Sequence, residues 1–549
     1  MRPVMLPTGI DSFERIRNEG FYYIDKTGLI SELLKKAFDV QLITRPRRFG
    51  KTLGLRMLSD FFDIQKDSHA LFAGMEVSRE PELCSKWMNQ WPVLFVSLKD
   101  VEGLEFDYAY EQLQIIISDC CAELNYLLGS DKVSEFDKEV FRRLAAKTGS
   151  PAEVSNSIFL MTRMLYSHFG RPVIVLIDEY DVPLAKASEH GYYDKMLQIL
   201  RGLMGKALKT NQYLKFSVVT GCLRIVKESI FMGTNNLVTD TISGERFSEF
   251  FGFTENDVLK LLDDTGFCDH AGEIKRWYDG YHFGNTDIYC PWDVLNHVSR
   301  LQDRPDANPE NYWKNTSHNN IIRSFLGRTD LAVNDKFEKL LAGESISQKI
   351  TESLTYDVLH SDEENIWTIL YLTGYLTQNG EENGQILLGI PNEEVKSIFA
   401  ETVAAWFKEA VVPKGRKELF NALWKEDAER VTSLLSDLLF ETISYHDYAE
   451  SYYHAFLAGI FSGAGYPVIS NYESGLGRPD IVVLDKINRR AIIIEAKRAQ
   501  AEDQLEAQCD TALKQITDKQ YSRNYLKGFR QIICYGIAFF EKECMVKKG

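Results

Sequence analysis

The sequence predicts an α/β protein of several domains. A parallel sheet lies at the N-terminal end, a helical, winged-helix-like region in the middle, and a smaller α/β unit at the C-terminal end. Three observations predict this. Short apolar runs alternate with helical patterns over residues 40–220, as in a doubly wound parallel sheet. Two of those runs end in chemistry, Gly50-Lys51-Thr52 after the first and Asp178-Glu179 after the third. Far downstream, Pro479-Asp480 and Glu495-Ala496-Lys497 flank two more strand-like runs. A chain of 549 residues is too long for one core. The expected divisions are 1–250, 251–440 and 441–549.

The first apolar run, Val40 to Ile43, is a buried parallel strand, and Leu53, Leu55, Met57, Leu58, Phe61 and Phe62 recur afterwards at helical spacing. Strand, loop and helix with Gly-Lys-Thr at the turn is the context a phosphate-binding loop needs. Backbone amides of the loop Arg47-Arg48-Phe49-Gly50 and the helix N-terminus can cradle phosphates. Lys51 would reach the β- and γ-phosphates, and the Thr52 hydroxyl would hold Mg²⁺. Arg45 stands where the usual pattern begins with Gly, which leaves a solvated basic turn as the alternative.

Pro92 to Leu98 is the second strand, followed by helices over about 105–125, 132–146 and 153–168. The third strand, 173–177, delivers Asp178 and Glu179 to the sheet edge where ligands bind in open α/β folds. Asp178 would complete the Mg²⁺ shell and Glu179 would polarise the attacking water. A helix over 192–208 leads to the strand Leu214 to Thr220. Thr220 sits where a γ-phosphate-sensing residue is expected. Arg224 is either a charge-stabilising finger, in cis or in trans, or a surface residue; a finger in trans would require at least a homodimer.

Residues 252–275 predict a helical lid. The Gly- and Pro-punctuated aromatic blocks at 277–292 predict packing loops, and 318–360 mostly polar helix. An apolar helix over 366–378, a Gly-rich turn at 379–384 and a strand at 385–390 suggest the winged-helix-like unit. Two connector helices are expected over 394–409 and 416–440. The helices carry no basic stripe, which favours packing or protein contact over DNA binding.

In the C-terminal stretch a helix carries Glu450, Tyr453, His454, Leu457 and Ile460, and Tyr466 to Ser470 is strand-like. Adjacent strands 481–484 and 491–497 would place Asp480 beside Glu495. Residues two apart on a strand share a face, so Glu495 and Lys497 point the same way. Two carboxylates and the Ala496 carbonyl make an oxygen-rich site suited to Mg²⁺. A surface Glu-x-Lys hairpin is the alternative, but charged groups ending a run of apolar residues would be costly to bury without a purpose.

Composition limits the class. Apolar content of 44% and charged content of 26% are those of an ordinary globular chain. No signal-like segment or membrane-length apolar run is present, so no membrane association is expected. Nine cysteines without metal-ligand spacing imply reduced thiols in a cytoplasmic protein without structural zinc. The net charge of −16 argues against a broadly nucleic-acid-binding surface. Residues 486–549, however, hold 13 Lys and Arg against 8 Asp and Glu, which permits local contact with DNA.

Tyr23-Ile24-Asp25-Lys26-Thr27, Arg45-Pro-Arg-Arg-Phe-Gly-Lys-Thr52, Leu176-Ile-Asp178-Glu179-Tyr-Asp181 and Thr220-Gly221 resemble the AAA-ATPase-like family of bacterial proteins, as do the aromatic blocks at 277–284, 291–296 and 312–317. In that family the loop takes this form without its first Gly. The resemblance implies ATP as ligand. Pro479-Asp480 and Glu495-x-Lys497 resemble the PD-(D/E)XK nuclease superfamily, in the branch fused to such ATPases. It implies a restriction-endonuclease-like fold and catalytic roles for Asp480, Glu495 and Lys497. It also implies an acidic residue on the first core helix, matched by Glu450 with His454 competing, and a Gln…Tyr pair matched by Gln515 and Tyr521. Together the two imply an ATPase and Mg²⁺-dependent nuclease, a DNase before an RNase, in defence or mobile-element control. The rival reading is an ATP-dependent switch or scaffold whose nuclease-like domain only binds a partner or nucleic acid.

Overall fold

The computed structural model describes residues 4–36, 38–224, 237–313, 336–337, 339–352, 354, 363–410, 416–442, 450–462, 468–470, 479–524 and 528–549. The chain forms two compact units, Met1–Tyr312 with Gln348–Ile386, and Trp313–Ser347 with Leu387–Gly549.

The first unit is built on a five-stranded sheet of β1 (Val40–Thr44), β2 (Val93–Ser97), β3 (Val173–Asp178), β4 (Leu214–Gly221) and β5 (Leu237–Asp240). The order is β2-β3-β4-β1-β5 and every pairing is parallel. β1 and β3 are buried along their whole length, as expected of continuous apolar runs covered on both faces. The helix Lys51–Phe62 lays Leu55, Leu58, Phe61 and Phe62 into one core with Ile43, Leu176 and Phe216. In the β2–β3 register Ser97 lies opposite Asp178, and in the β1–β4 register Ile43 lies opposite Thr220. The C-terminal ends of four strands therefore share one edge. β5 was not foreseen: it is four residues long and mostly part-exposed, so no apolar run announces it.

Helices Glu255–Thr265 and Ala271–Tyr278 occupy the expected lid, the first started by a reciprocal capping box between Thr254 and Asp257. The expectation of loops over 277–292 is corrected. A hairpin of β6 (Tyr281–Phe283) and β7 (Thr286–Ile288) lies there, followed by the helix Pro291–Asp303 with Pro at its first position. Three-residue strands are too short to show alternation. Most of the expected helix over 318–360 lies outside the described residues, but β8 (Ile346–Gln348) within it is a strand.

The helix expected over 366–378 is Glu363–Leu372. Its continuation is broken at Gly374, with φ of +88°, and Thr377 already belongs to β9 (Thr377–Glu382). The residues expected as a Gly-rich turn are thus mostly strand. Only Asn383 and Gly384, both at positive φ, form the two-residue turn into β10 (Gln385–Gly389). The helix Glu393–Ala410 follows, so helix, hairpin and helix succeed one another as foreseen. The single helix expected over 416–440 is two, Arg416–Trp424 and Ala428–Thr442. Glu426 takes φ of +64°, and the Asp427 carboxylate accepts from the Arg430 amide at 3.0 Å to start the second.

The second unit carries a sheet of β11 (Val468–Ser470), β12 (Ile481–Asp485), β13 (Arg490–Arg498), β14 (Gln531–Phe540) and β15 (Glu543–Lys548), in sequence order. Only β13 and β14 run parallel, joined by the helix Leu505–Asp518. That helix packs Leu505 and Cys509 against Ala538. Tyr453, on the helix Glu450–Ser462, stacks on Phe539 with centroids 4.4 Å apart. Alternation along β14 puts the two helices on opposite faces.

Candidate nucleotide and phosphodiester sites

The loop after β1 closes on Gly50, whose left-handed φ of +81° caps the helix Lys51–Phe62 and turns its first amides toward the loop. Lys51 is 4% exposed. Its ammonium donates to the carbonyls of Arg45 and Pro46 at 3.0 and 2.8 Å. A phosphate oxygen is a stronger, charged acceptor than either carbonyl, so the amine is placed to change partners.

Asp178 is fully buried at the end of β3. Oδ2 accepts from the Thr52 hydroxyl at 2.8 Å and from Ser97 at 3.4 Å; Oδ1 accepts from Thr220 at 2.7 Å. Thr220, expected to sense phosphate, therefore holds Asp178. Ser97 was missed; its signal is positional, as the last residue of a strand ending at the same edge. Asp181 accepts from the amides of Cys222 and Leu223, both at 2.9 Å, tying the turn after β3 to the end of β4. Gly221 is required there, because a Cβ would lie 2.6 Å from Asp181 Oδ1 and 2.7 Å from the Tyr180 ring.

Glu179 sits in the left-handed region at φ +50°, at the wall of a cavity of about 280 Å³. Burial raises its carboxyl above the usual range and the charge of Lys51 holds it back. The cavity opens from Gly50, Lys51 and Thr52 and continues between Ile10, Tyr22, Phe253 and Trp292. One end thus offers phosphate-binding groups and the other an apolar, aromatic slot.

The remaining expected ligands divide. Arg48, at φ +71°, lines the cavity and places its guanidinium 4.0 Å from the Trp292 ring centroid. Burial raises both Glu179 and Cys222, and Arg47 is near enough to each for its charge to oppose that rise. Phe49 is buried against Tyr281 and Phe283, with centroids 4.9 and 5.1 Å away, so its ring packs the loop on the β6–β7 hairpin. Arg224 is half-buried and does not line the cavity. Arg45 turns away from the loop. Its guanidinium is fully buried, pairs with Asp240 on β5 and donates to the Thr44 and Thr241 carbonyls at 2.8 and 2.7 Å.

In the second unit the antiparallel register Ile481↔Ile494 brings Asp480 and Glu495 together. The Asp480 amide lies 3.4 Å from Glu495 Oε2, and Asp480 Oδ2 accepts from the Ala496 amide at 2.7 Å. Lys497 Nζ is 3.4 Å from Glu495 Oε1, to which the Gln515 amide also donates. Gln515 Nε2 lies 3.3 Å from the Tyr521 hydroxyl. His454 Nε2 lies 2.8 Å from the Asp480 carbonyl, so it positions the main chain at Asp480. The Glu450 side chain lies outside the described residues. Burial, and then the charge of Asp480, push the 1%-exposed Glu495 carboxyl up to about 7 against the pull of Lys497. Two hard carboxylates forced together in this way fit Mg²⁺, which takes one or two carboxylates and completes its shell with water and phosphate oxygens. Among the described residues no group of three His, Cys, Asp or Glu could hold a metal.

A parallel sheet with a Lys-Thr loop facing an Asp-Glu pair defines a P-loop nucleotide-binding domain. A mixed sheet with Asp and Glu-x-Lys on adjacent strands defines a restriction-endonuclease-like one. Residues 7–231 match the profile of the family described as predicted AAA-ATPase, and residues 448–549 that of the PD-(D/E)XK nuclease superfamily. The chain thus joins an AAA-ATPase-like domain to a PD-(D/E)XK superfamily domain. It is similar to an uncharacterized protein in the vnfD 5′ region of Azotobacter chroococcum mcd 1, with 26% identity over 97% of this chain and 96% of that protein. Among the described residues no helix is long and apolar enough to cross a membrane.

Proposed function

We propose that the protein is an ATP-binding and ATP-hydrolysing enzyme whose C-terminal domain cleaves nucleic-acid phosphodiesters, DNA before RNA, with Mg²⁺. The observation that carries the reading is the Asp480–Glu495–Lys497 cluster, with Glu495 buried and the other two half-buried, completed by Gln515. Mg²⁺ held by Asp480, Glu495 and the Ala496 carbonyl would supply charge stabilisation to the phosphate under attack. Lys497 orients water or stabilises the developing negative charge, Gln515 fixes the Glu495 carboxylate, and His454 holds the backbone of Asp480. In the N-terminal domain Lys51 and the loop amides bind the triphosphate and the aromatic slot takes the base. Thr52 and Asp178 would hold a second Mg²⁺, and Glu179 orients water at the γ-phosphate. Defence against foreign or mobile DNA is the role this pairing suits. The test is cleavage of plasmid and single-stranded DNA with Mg²⁺, with and without ATP, by wild type, Asp480→Ala and Lys51→Ala. Cutting that is lost in Asp480→Ala supports the nuclease, and Lys51→Ala reports whether ATP gates it. ATP hydrolysis without cutting under any condition supports the switch or scaffold instead.

A further inference from the structure

The turn between β12 and β13 lies at the end of the hairpin opposite Asp480 and Glu495, because Asp485 pairs with Arg490 across its last rung. We propose that this turn is a second nucleic-acid contact, which grips the duplex backbone away from the bond that is cut. The inference rests on the reading of this domain as acting on nucleic acid. Five residues of β12 at about 3.4 Å each separate the turn from Asp480 by about 15 Å or more.

The turn is rigid. Asp485 accepts from the Asn488 amide at 3.0 Å and its side-chain nitrogen at 2.7 Å, and from Arg490 Nε and Nη2 at 3.1 and 2.7 Å. The Arg490 guanidinium lies 4.3 Å from the Trp424 ring centroid, pinning the hairpin to the helix Arg416–Trp424. On this frame Lys486, Ile487 and Arg489 are exposed, Ile487 at 93%. Arg530 joins them, since its amide donates to the Arg489 carbonyl at 2.7 Å and its residue is exposed. Arg489 Nε is steadied by the Gly528 carbonyl at 3.1 Å. The carboxylates beside the turn are already matched, Asp485 by Arg490 and Glu426 by Lys548. What the corner shows is three cations around an apolar tip on a two-stranded ribbon. A ribbon of that width enters a DNA groove, cations meet the phosphates, and an apolar tip can wedge against base steps.

The full chain carrying Asp480→Ala, which prevents cutting, is titrated with a fluorescent 30-base-pair duplex by anisotropy, over a range of salt. Lys486→Ala, Arg489→Ala and Arg530→Ala are then added together, with thermal melting as the folding control. The expected result is weaker binding with an unchanged melt, and a log–log salt slope shallower by about 0.9 for each phosphate that is no longer neutralised. Ile487→Asp in the otherwise unaltered turn is expected to weaken binding too. Unchanged affinity and slope in the triple variant overturn the proposal, as does displacement of the duplex by poly-glutamate at equal charge, which would make the corner a site for acidic protein. The two readings fail separately. Wild type that binds through this corner and never cuts removes the nuclease but keeps the duplex grip. Wild type that cuts, alongside a triple variant that binds and cuts equally well, removes the duplex grip but keeps the nuclease.

Discussion

Thr220 donates its hydroxyl hydrogen to Asp178 Oδ1 across 2.7 Å, with both residues fully buried. With Thr52 and Ser97 on the other oxygen, the carboxylate is held by three hydroxyls from three different elements. Thr220→Val keeps the shape and deletes one donor to a buried charge. The expected cost is about 1–3 kcal/mol of stability, read by urea denaturation of the full chain. Nucleotide affinity, read by a fluorescent ATP analogue, is expected to change far less, because Lys51 and the loop amides are untouched. A large loss of affinity with unchanged stability would return Thr220 to the ligand-sensing role.

Of the adjacent pair Asp178 and Glu179, Glu179 faces the cavity, whereas Asp178 is enclosed. Glu179→Gln retains size and polarity but cannot accept a proton or orient water as an anion. Phosphate release is expected to fall by about 10²–10⁴-fold. ATP affinity by calorimetry is expected to stay within a few-fold of wild type. Equal hydrolysis by the variant would remove Glu179 from the reaction.

Arg45 occupies the position where a phosphate loop ordinarily begins with Gly, and a natural engineering step would be to restore that Gly. The structure argues the opposite. Arg45 is a buried bracket between β1 and β5, ion-paired to Asp240 and lying 5.4 Å from the Phe283 ring centroid. Arg45→Gly would strand the Asp240 carboxylate, which sits in a residue 7% exposed. Removing one partner of a buried pair costs about 3–5 kcal/mol. Chemical denaturation should show that loss, and adding Asp240→Asn should recover part of it. Tighter ATP binding without loss of stability would refute the bracket.

The sequence made the candidate site positions legible because they punctuate strong patterns. Asp178 ends a run of five apolar residues, and Glu495 ends a run of four. Long buried strands and the helix after Lys51 follow directly from hydrophobic period. Other features depend on pairings remote along the chain. Nothing around Arg45 announces Asp240, and Ser97 gains its meaning only when β2 is set in register with β3. The three-residue strands at 281–288 were hidden by length. Of the hairpin at 377–389 only the first strand was hidden, because the polar β9 reads as turn, although Asn383-Gly384 was available as a signal. Thr220 was legible as an edge residue, but which way its hydroxyl turns is set by Asp178.

Glu495 gives the domain a pH signature in the absence of metal. Its carboxyl stands at about 7 in the folded chain, against an ordinary value of 4.5. A raised acid pKa means the fold prefers the protonated form. Below about pH 4.5 the group is protonated folded or unfolded and costs nothing. Between 4.5 and 7 the unfolded chain ionises first, so this group's contribution turns progressively against folding. Above 7 the cost is constant, up to about 3 kcal/mol for a shift of this size. Glu495→Gln removes the ionisation. In EDTA the variant is expected to be more stable than wild type at pH 8 and to lose that advantage at pH 4, by denaturation of the full chain. Mg²⁺ at pH 8 is expected to stabilise wild type and leave the variant nearly unmoved, because the cation offsets the same repulsion between Glu495 and Asp480. A stability difference independent of pH would show that Glu495 ionises over the same pH range folded and unfolded, with Lys497 and Gln515 offsetting its burial.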